Sequence, residues 1–383
     1  MKIRQLLKLF SIMLMFATSL SATVFANPAE VIPMPPAEIE LAAGQLESEA
    51  GLLENAIPDE ARELLGDIKL YEVSDAENFL ERIVDSVREN GLGIVKIALK
   101  SGVIMLTIVL LCSLAQAAMK DSAPRKSISL CGSVAISAIA VDSMQGFIGL
   151  GMKTVQSLSD FSKILLPTLC AAAVSSGAVT SATAKYAATA MFMDILISIG
   201  SKLVLPLICA YIAAVIGGAA LGKSMLTRVA AMLKWVCTNM LMLMVMAFTA
   251  YLSLTGLISG KADQVAVRAA RSMLGTLLPI VGGVLSDAAD TILAGAGIVR
   301  NSIGIFGLLV ILAACLMPVL RLLAHYLVFK GTAALSEAFT DKPMAELISG
   351  IGSAFALILG LVGSAGLMLF ISIYSSLGAM GGI

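Results

Sequence analysis

One histidine and one tryptophan occur in 383 residues, and only 14% of the side chains are charged. A lone histidine cannot build the paired-imidazole centre of a zinc hydrolase. None of the six cysteines (Cys112, Cys131, Cys170, Cys209, Cys237 and Cys315) precedes residue 112, so the segment before them holds no disulfide framework. All six lie in apolar runs, where cysteine packs as a small hydrophobe. No serine-hydrolase elbow is found, and no long polar tract interrupts the second half. These shortages argue against a soluble metalloenzyme or a disulfide-stapled secreted domain. No catalytic residue, metal site or cofactor is expected.

What the chain does have is apolar sequence, 58% of its residues, with a mean hydropathy of +0.94. Long runs fall at 94–118, 128–150, 164–184, 188–217, 237–258, 276–297, 303–328 and 349–375. A helix rises about 1.5 Å per residue, so about 20 residues cross the hydrocarbon layer. The reading is an all-α polytopic membrane protein with six to eight transmembrane helices. The 128–150 run, rich in Ser, Ala and Gly, is the weakest crossing, and a break at Gly200-Ser201-Lys202 would divide the fourth.

The N-terminus differs. Lys2, Arg4 and Lys8 precede an apolar stretch ending in Val24-Phe25-Ala26, the pattern of a secretory signal peptide over residues 1–26 cleaved after Ala26. An uncleaved first helix is the competing reading; both place the following segment outside the cytosol. Residues 27–90 carry 16 acidic and 4 basic side chains, whereas residues 91–383 carry 10 and 19. The sequence thus divides into a signal peptide, an acidic exported helical domain at 27–92 and a membrane domain at 93–383. The 120–126 loop, with Lys120, Arg125 and Lys126, belongs in the cytosol by the positive-inside rule. Further loops conflict: strict alternation through eight crossings puts Lys223, Arg228 and Lys234 outside, and omitting the 128–150 run exposes Lys261, Arg268 and Arg271 instead.

Within the acidic segment, Ser74 and Glu77 form a capping-box pattern. Phe79, Leu80, Ile83, Val84 and Val87 then make an apolar stripe. The stripe packs within its own small domain, docks on a partner or lies on the membrane surface.

An internal echo recurs at an offset of 112 residues, between about 161–260 and 273–372: Leu165, Leu166 and Pro167 match Leu277, Leu278 and Pro279, and Pro206 matches Pro318. Three helices per unit make such repeats inverted, four make them parallel. The four prolines are candidate helix kinks, since each lacks an N–H and crowds the preceding turn. Glycines at 217, 218 and 222, 282 and 283, and 360 and 363 suit close helix approach.

Ionisable groups inside apolar runs are costly and face a bundle interior or a wet path. Asp142, Asp194, Asp287, Asp290, Arg321 and His325 form the candidate buried polar network. Asp287 and Asp290 share a face by i,i+3 spacing, and Arg321 and His325 by i,i+4. A pairing of Arg321 with Asp287 or Asp290 and a solute or ion path both remain open. GGAALGKS at 217–224 matches the letters of a phosphate-binding loop, but it closes a membrane helix instead of joining a strand to a soluble helix.

The signal pattern, the acidic segment, AVSSGAVTSATAKY at 173–186, GLLVILAACLMPVLRLL at 307–323 and GLVGSAG at 360–366 together resemble the stage III sporulation protein AE family along essentially the whole chain. The resemblance implies a mother-cell membrane component of the SpoIIIA complex. That complex is a channel or secretion-like assembly linking mother cell and forespore, needed for forespore development after engulfment. Its implied partners are other stage III sporulation membrane proteins, a forespore membrane partner and the lipid bilayer, with no nucleic acid. It implies a multi-pass protein of the membrane around the forespore, with residues 27–92 extracytoplasmic. A self-sufficient secondary transporter and a structural scaffold for the complex are the rival classes.

Overall fold

The computed structural model describes residues 51, 53–65, 76–175, 179–221, 224–277, 282–340 and 342–378. Every regular element among them is a helix: a short α1 (Asp59–Leu65), then α2 (Ala76–Ala117), α3 (Ser122–Ser175), α4 (Val179–Ile199), α5 (Leu205–Leu221), α6 (Ser224–Leu277), α7 (Gly282–Glu337) and α8 (Lys342–Gly378). A π-helical turn, Gly200–Val204, joins α4 to α5 without a break in the rod. Among the described residues six passages are long and apolar enough to cross a membrane: α2, α3, α4 with α5, α6, α7 and α8.

Eight apolar runs thus fold as six rods. The runs at 128–150 and 164–184 are not separate crossings. Helix α3 holds all of the first and the second as far as Ser175, and the chain resumes as helix at Val179. The runs at 276–297 and 303–328 share α7 from Gly282 onward. The residues between the runs, such as Lys153 to Lys163 in α3, lower hydropathy without supplying the proline or glycine signals that end a helix. The Gly200 site widens one turn instead of dividing the helix.

Consecutive rods run antiparallel. The Ser113 hydroxyl donates to the Phe339 carbonyl, setting the end of α2 beside the α7–α8 turn. Gly218 of α5 lies against Thr227 of α6 near Glu337 and Pro343. The helix ends at Ala117, Ser122, Leu221, Ser224, Glu337 and Lys342 therefore gather at one end of the bundle. Lys120, Arg125, Lys126 and Arg228 fall near that end, and Lys261, Arg268 and Arg271 lie in the far part of α6. Six rods set Arg228 and Lys234 at the same end as the 120–126 loop, whereas Lys261, Arg268 and Arg271 stay at the opposite end. At the basic end, Arg125 Nε donates to the Met119 carbonyl at 3.0 Å, and Pro124 and Pro343 sit in first helical turns, where a missing N–H costs nothing.

Helix α8 is central, with 61% of its most apolar window buried against 22% for α2 and α6. Its Gly350, Gly352, Gly360 and Gly366 each face a neighbouring helix closely enough that an added Cβ would sit 3.3 Å or less from a side chain. Small residues let backbones approach where lipid offers no hydrophobic drive. Of the glycines singled out in the sequence, Gly360 works this way, whereas Gly363 has nothing within 4 Å.

Two layers fix α3, α7 and α8 in register. In one, the Phe147 ring lies 4.3 Å from His325 and 5.0 Å from Phe355 between centroids. In the other, Leu165 and Ile373 close over Gly307. Each helix advances eighteen residues between the layers, about 27 Å of rise, close to one hydrocarbon thickness. Helices of 54 and 56 residues run to about 80 Å, so even a 40° tilt leaves much of α3, α6 and α7 outside the hydrocarbon.

The described part of the acidic segment joins this bundle. Leu53, Ile57, Ala61 and Leu64 are buried in the common core, α1 packs on α7 and α2, and Glu60 pairs with Lys153 of α3 at 3.0 Å. The boundary set at 92/93 falls inside α2, which is continuous from Ala76. Ser74 of the capping box lies outside the described residues, as do the side chains of Phe79, Leu80, Ile83 and Val84; Val87 is half-buried.

Helix α3 continues through exposed Pro167 and α7 through buried Pro318. Pro206 stands just after the π turn, in which the Leu205 N–H reaches back to the Gly200 carbonyl. Widening the turn is a known way to absorb a proline's missing N–H. Pro279 lies outside the described residues. An offset of 112 residues carries Leu196 of α4 onto Leu308 of α7, and these helices run the same way, so a duplication at that offset would be parallel.

Candidate functional site

At the basic end, α5, α6, α7 and α8 leave a cleft of about 730 Å³ between them. It is built around one turn of α8. Ser349 and Ser353 are four residues apart, so both project from the same face. Lys330 of α7 reaches across, its Nζ donating to Ser349 Oγ at 2.8 Å, the Ser349 carbonyl at 3.0 Å and Ser353 Oγ at 3.0 Å. Lys234 of α6 donates to the same Ser353 Oγ, also at 3.0 Å. The Ser353 hydroxyl donates in turn to the Ser349 carbonyl at 3.1 Å.

The opposite wall is α5. The Tyr211 hydroxyl donates to the Gly350 carbonyl at 2.9 Å, and Val215 packs where a Cβ on Gly350 would stand. Arg228, Glu337 and Glu346 line the cleft and are exposed. Ion pairs among the described residues are Lys153–Glu60 and Lys163–Asp160, so neither cleft lysine has a carboxylate of the described residues within 4 Å. Two ammonium groups thus converge on one neutral hydroxyl. The arrangement suits holding negative charge. It does not suit nucleophilic catalysis, because Ser353 is buried and its oxygen already accepts two hydrogen bonds and donates one.

Of the residues selected from the sequence, three have described side chains, and His325 lies inside the bundle whereas Arg321 and Asp194 do not. His325 is buried, with Nδ1 2.9 Å from the Arg321 carbonyl and Phe147, Phe329 and Phe355 around its ring. Arg321 and Asp194 are exposed on the outside of the bundle, contrary to the interior position expected for them. Spacing of i,i+4 leaves about 40° between two side chains, enough for His325 to turn inward while the longer Arg321 turns out. Asp142, Asp287 and Asp290 lie on helices, but their side chains are outside the described residues, as is any pairing of Arg321 with them.

Gly217 and Gly218 of the phosphate-loop-like letters lie in α5 against Leu226 and Thr227, where they pack helices; Gly222 and Lys223 are outside the described residues. The cleft lysines were visible in the sequence only as charges near the ends of apolar runs. The paired serines at the start of the last run were the available signal. Their partners lie 119 and 19 residues away.

An all-α bundle of six membrane-length helices, basic at one end and without a metal-ligand cluster among the described residues, defines a polytopic integral membrane protein. Residues 62–379 match the profile of the family described as Stage III sporulation protein AE, and the chain belongs to that family. A curated relative, Stage III sporulation protein AE of Bacillus subtilis (strain 168), is 23% identical over 235 residues, covering 61% of this chain and 59% of the relative. No solved structure shows a significant match.

Proposed function

We propose that the protein is the mother-cell membrane component of a channel or secretion-like complex that joins mother cell and forespore and supports forespore development after engulfment. The observation carrying this reading is the family match over residues 62–379. Six membrane-length helices suit an integral component, and helices of about 80 Å provide surface beyond the bilayer on which other stage III sporulation proteins and a forespore membrane partner would assemble. The acidic 27–92 segment faces away from the cytosol in this reading, after removal of a signal peptide at 1–26, and the basic end faces the mother-cell cytosol.

Orientation is testable in a non-sporulating host with a cysteine-free background. Gly51→Cys is expected to react with an impermeant maleimide in intact cells, and Ala123→Cys and Met225→Cys only after permeabilisation. The reverse labelling pattern would invert the topology.

Assembly is tested at the apolar stripe of the exported segment. Changing Phe79 and Ile83 to Ser removes about 1.5–3 kcal/mol of burial per side chain where each is fully covered. Normal insertion, weaker co-purification with stage III sporulation proteins and arrested spore development are expected. Protease resistance of the N-terminal segment must be unchanged for the result to count. Unchanged partner recovery and normal sporulation in a folded variant would reject docking through this stripe. Solute flux by the purified protein alone, in liposomes, would favour a self-sufficient transporter instead.

A further inference from the structure

We propose that the cleft between α5, α6, α7 and α8 binds a phosphate-bearing anion, gripped by Lys234 and Lys330 with Arg228 at its rim. Both lysines donate to Ser353 Oγ at 3.0 Å, which sets their nitrogens no more than about 6 Å apart. Like charges at that separation repel strongly at the edge of a low-dielectric bundle. Serine supplies a dipole but no charge. Among the described residues the cleft carries two carboxylates, Glu337 and Glu346, both exposed and beyond ion-pair reach of the two lysines. An anion seated between the ammonium groups removes the repulsion and adds acceptors for their remaining N–H bonds. A phosphate group offers several oxygens for this purpose, so it can bridge two lysines and still meet a guanidinium.

The shape of the cleft narrows the ligand class further. Its volume exceeds that of a bare phosphate, and Val215, Ala219, Ala230 and Leu347 add apolar wall beside the cations. An apolar wall next to a paired cation suits a phosphodiester attached to a less polar body. Depth points the same way. Trp235, the single tryptophan, adjoins Lys234 and is 51% exposed. Exposed tryptophan marks the headgroup level of a membrane protein, and basic pockets between transmembrane helices at that level take anionic headgroups. The two sources of this chemistry are an anionic phospholipid headgroup and a free phosphate-bearing solute.

The test uses the full-length chain in nanodiscs, with phosphatidylcholine alone or mixed with phosphatidylglycerol, and inorganic phosphate as the soluble probe. Lysine acetylation mapped by peptide mass spectrometry reads the site without any substitution. Lys234 and Lys330 are expected to be protected by phosphatidylglycerol or phosphate, while Lys163, exposed on α3, is not. Retention of short-chain phosphatidylglycerol by native mass spectrometry is expected to fall roughly tenfold or more in the Lys234→Gln/Lys330→Gln variant, and to be unchanged in Lys163→Gln. Protection by the lipid identifies the headgroup as ligand; protection by phosphate alone identifies a free solute. Equal acetylation of the wild type under all conditions would overturn the proposal whether or not the variant folds. Undiminished retention by a folded double variant would do the same.

Discussion

Phe355→Ala is expected to destabilise the bundle by about 2–3 kcal/mol, measured as a shift in SDS-induced or thermal unfolding in detergent. Phe355 is fully buried, with ring centroids 5.0 Å from Phe147, 5.0 Å from Phe329 and 5.4 Å from His325. Lipid is about as apolar as the core, so the transfer part of a soluble protein's loss is largely absent. The cavity part remains, at about 24 cal/mol per Å³ over roughly 100 Å³ of lost ring. Phe370→Ala, on the same helix but 43% exposed, removes the same ring from a lipid-accessible face and should cost less than about 0.5 kcal/mol. Equal effects at both positions would show that the aromatic layer is not packed as described.

Gly350→Ala should cost about 1–3 kcal/mol, although alanine is the better helix former. The new methyl would meet Val215 Cγ1 at 2.6 Å and Cγ2 at 3.2 Å. Valine is stiff at χ1 and cannot swing clear cheaply, so α5 and α8 must part. Parting them stretches the Tyr211–Gly350 hydrogen bond, now 2.9 Å. Val215→Ala in the same chain should recover much of the loss, and a double-mutant cycle reads the coupling directly. Gly363→Ala, with nothing within 4 Å, is the control and should be neutral or slightly stabilising. Additive losses at 350 and 215 would place the two helices farther apart than the structure does.

Helical class and membrane character were legible because apolar runs of some 20 residues have few other uses. The number of rods was less so. Hydropathy falls at Lys153 and Asp160, which looks like a loop, yet a helix needs no apolar side chains to continue, and α3 passes through both. Around Ser175, the last described residue of α3, the run stays apolar and the sequence offers only Ser and Gly as a local signal. The positions of Arg321 and His325 were hidden for a related reason. Periodicity reports which residues share a stripe, but not whether that stripe faces a neighbour or lipid, and Arg321 and His325 end on different sides. The cleft was hidden because contacts such as Lys234 with Ser353 depend on which rods are adjacent, a property of topology that no window along the chain contains.

The π turn at Gly200–Val204 has a consequence for how this fold tolerates insertions and deletions. A π turn holds one residue more than the α turn it replaces, and one residue is about 100° of rotation. The two halves of the rod are thereby set out of phase, so that Gly200 meets Leu361 of α8 while Tyr211 and Val215, past the turn, still meet Gly350 of the same helix. Deleting one residue from that turn would leave length and hydropathy almost unchanged and produce a plain α-helix. It would also swing the Tyr211 side of α5 a quarter-turn or more away from α8, emptying one wall of the cleft without altering any residue that lines it.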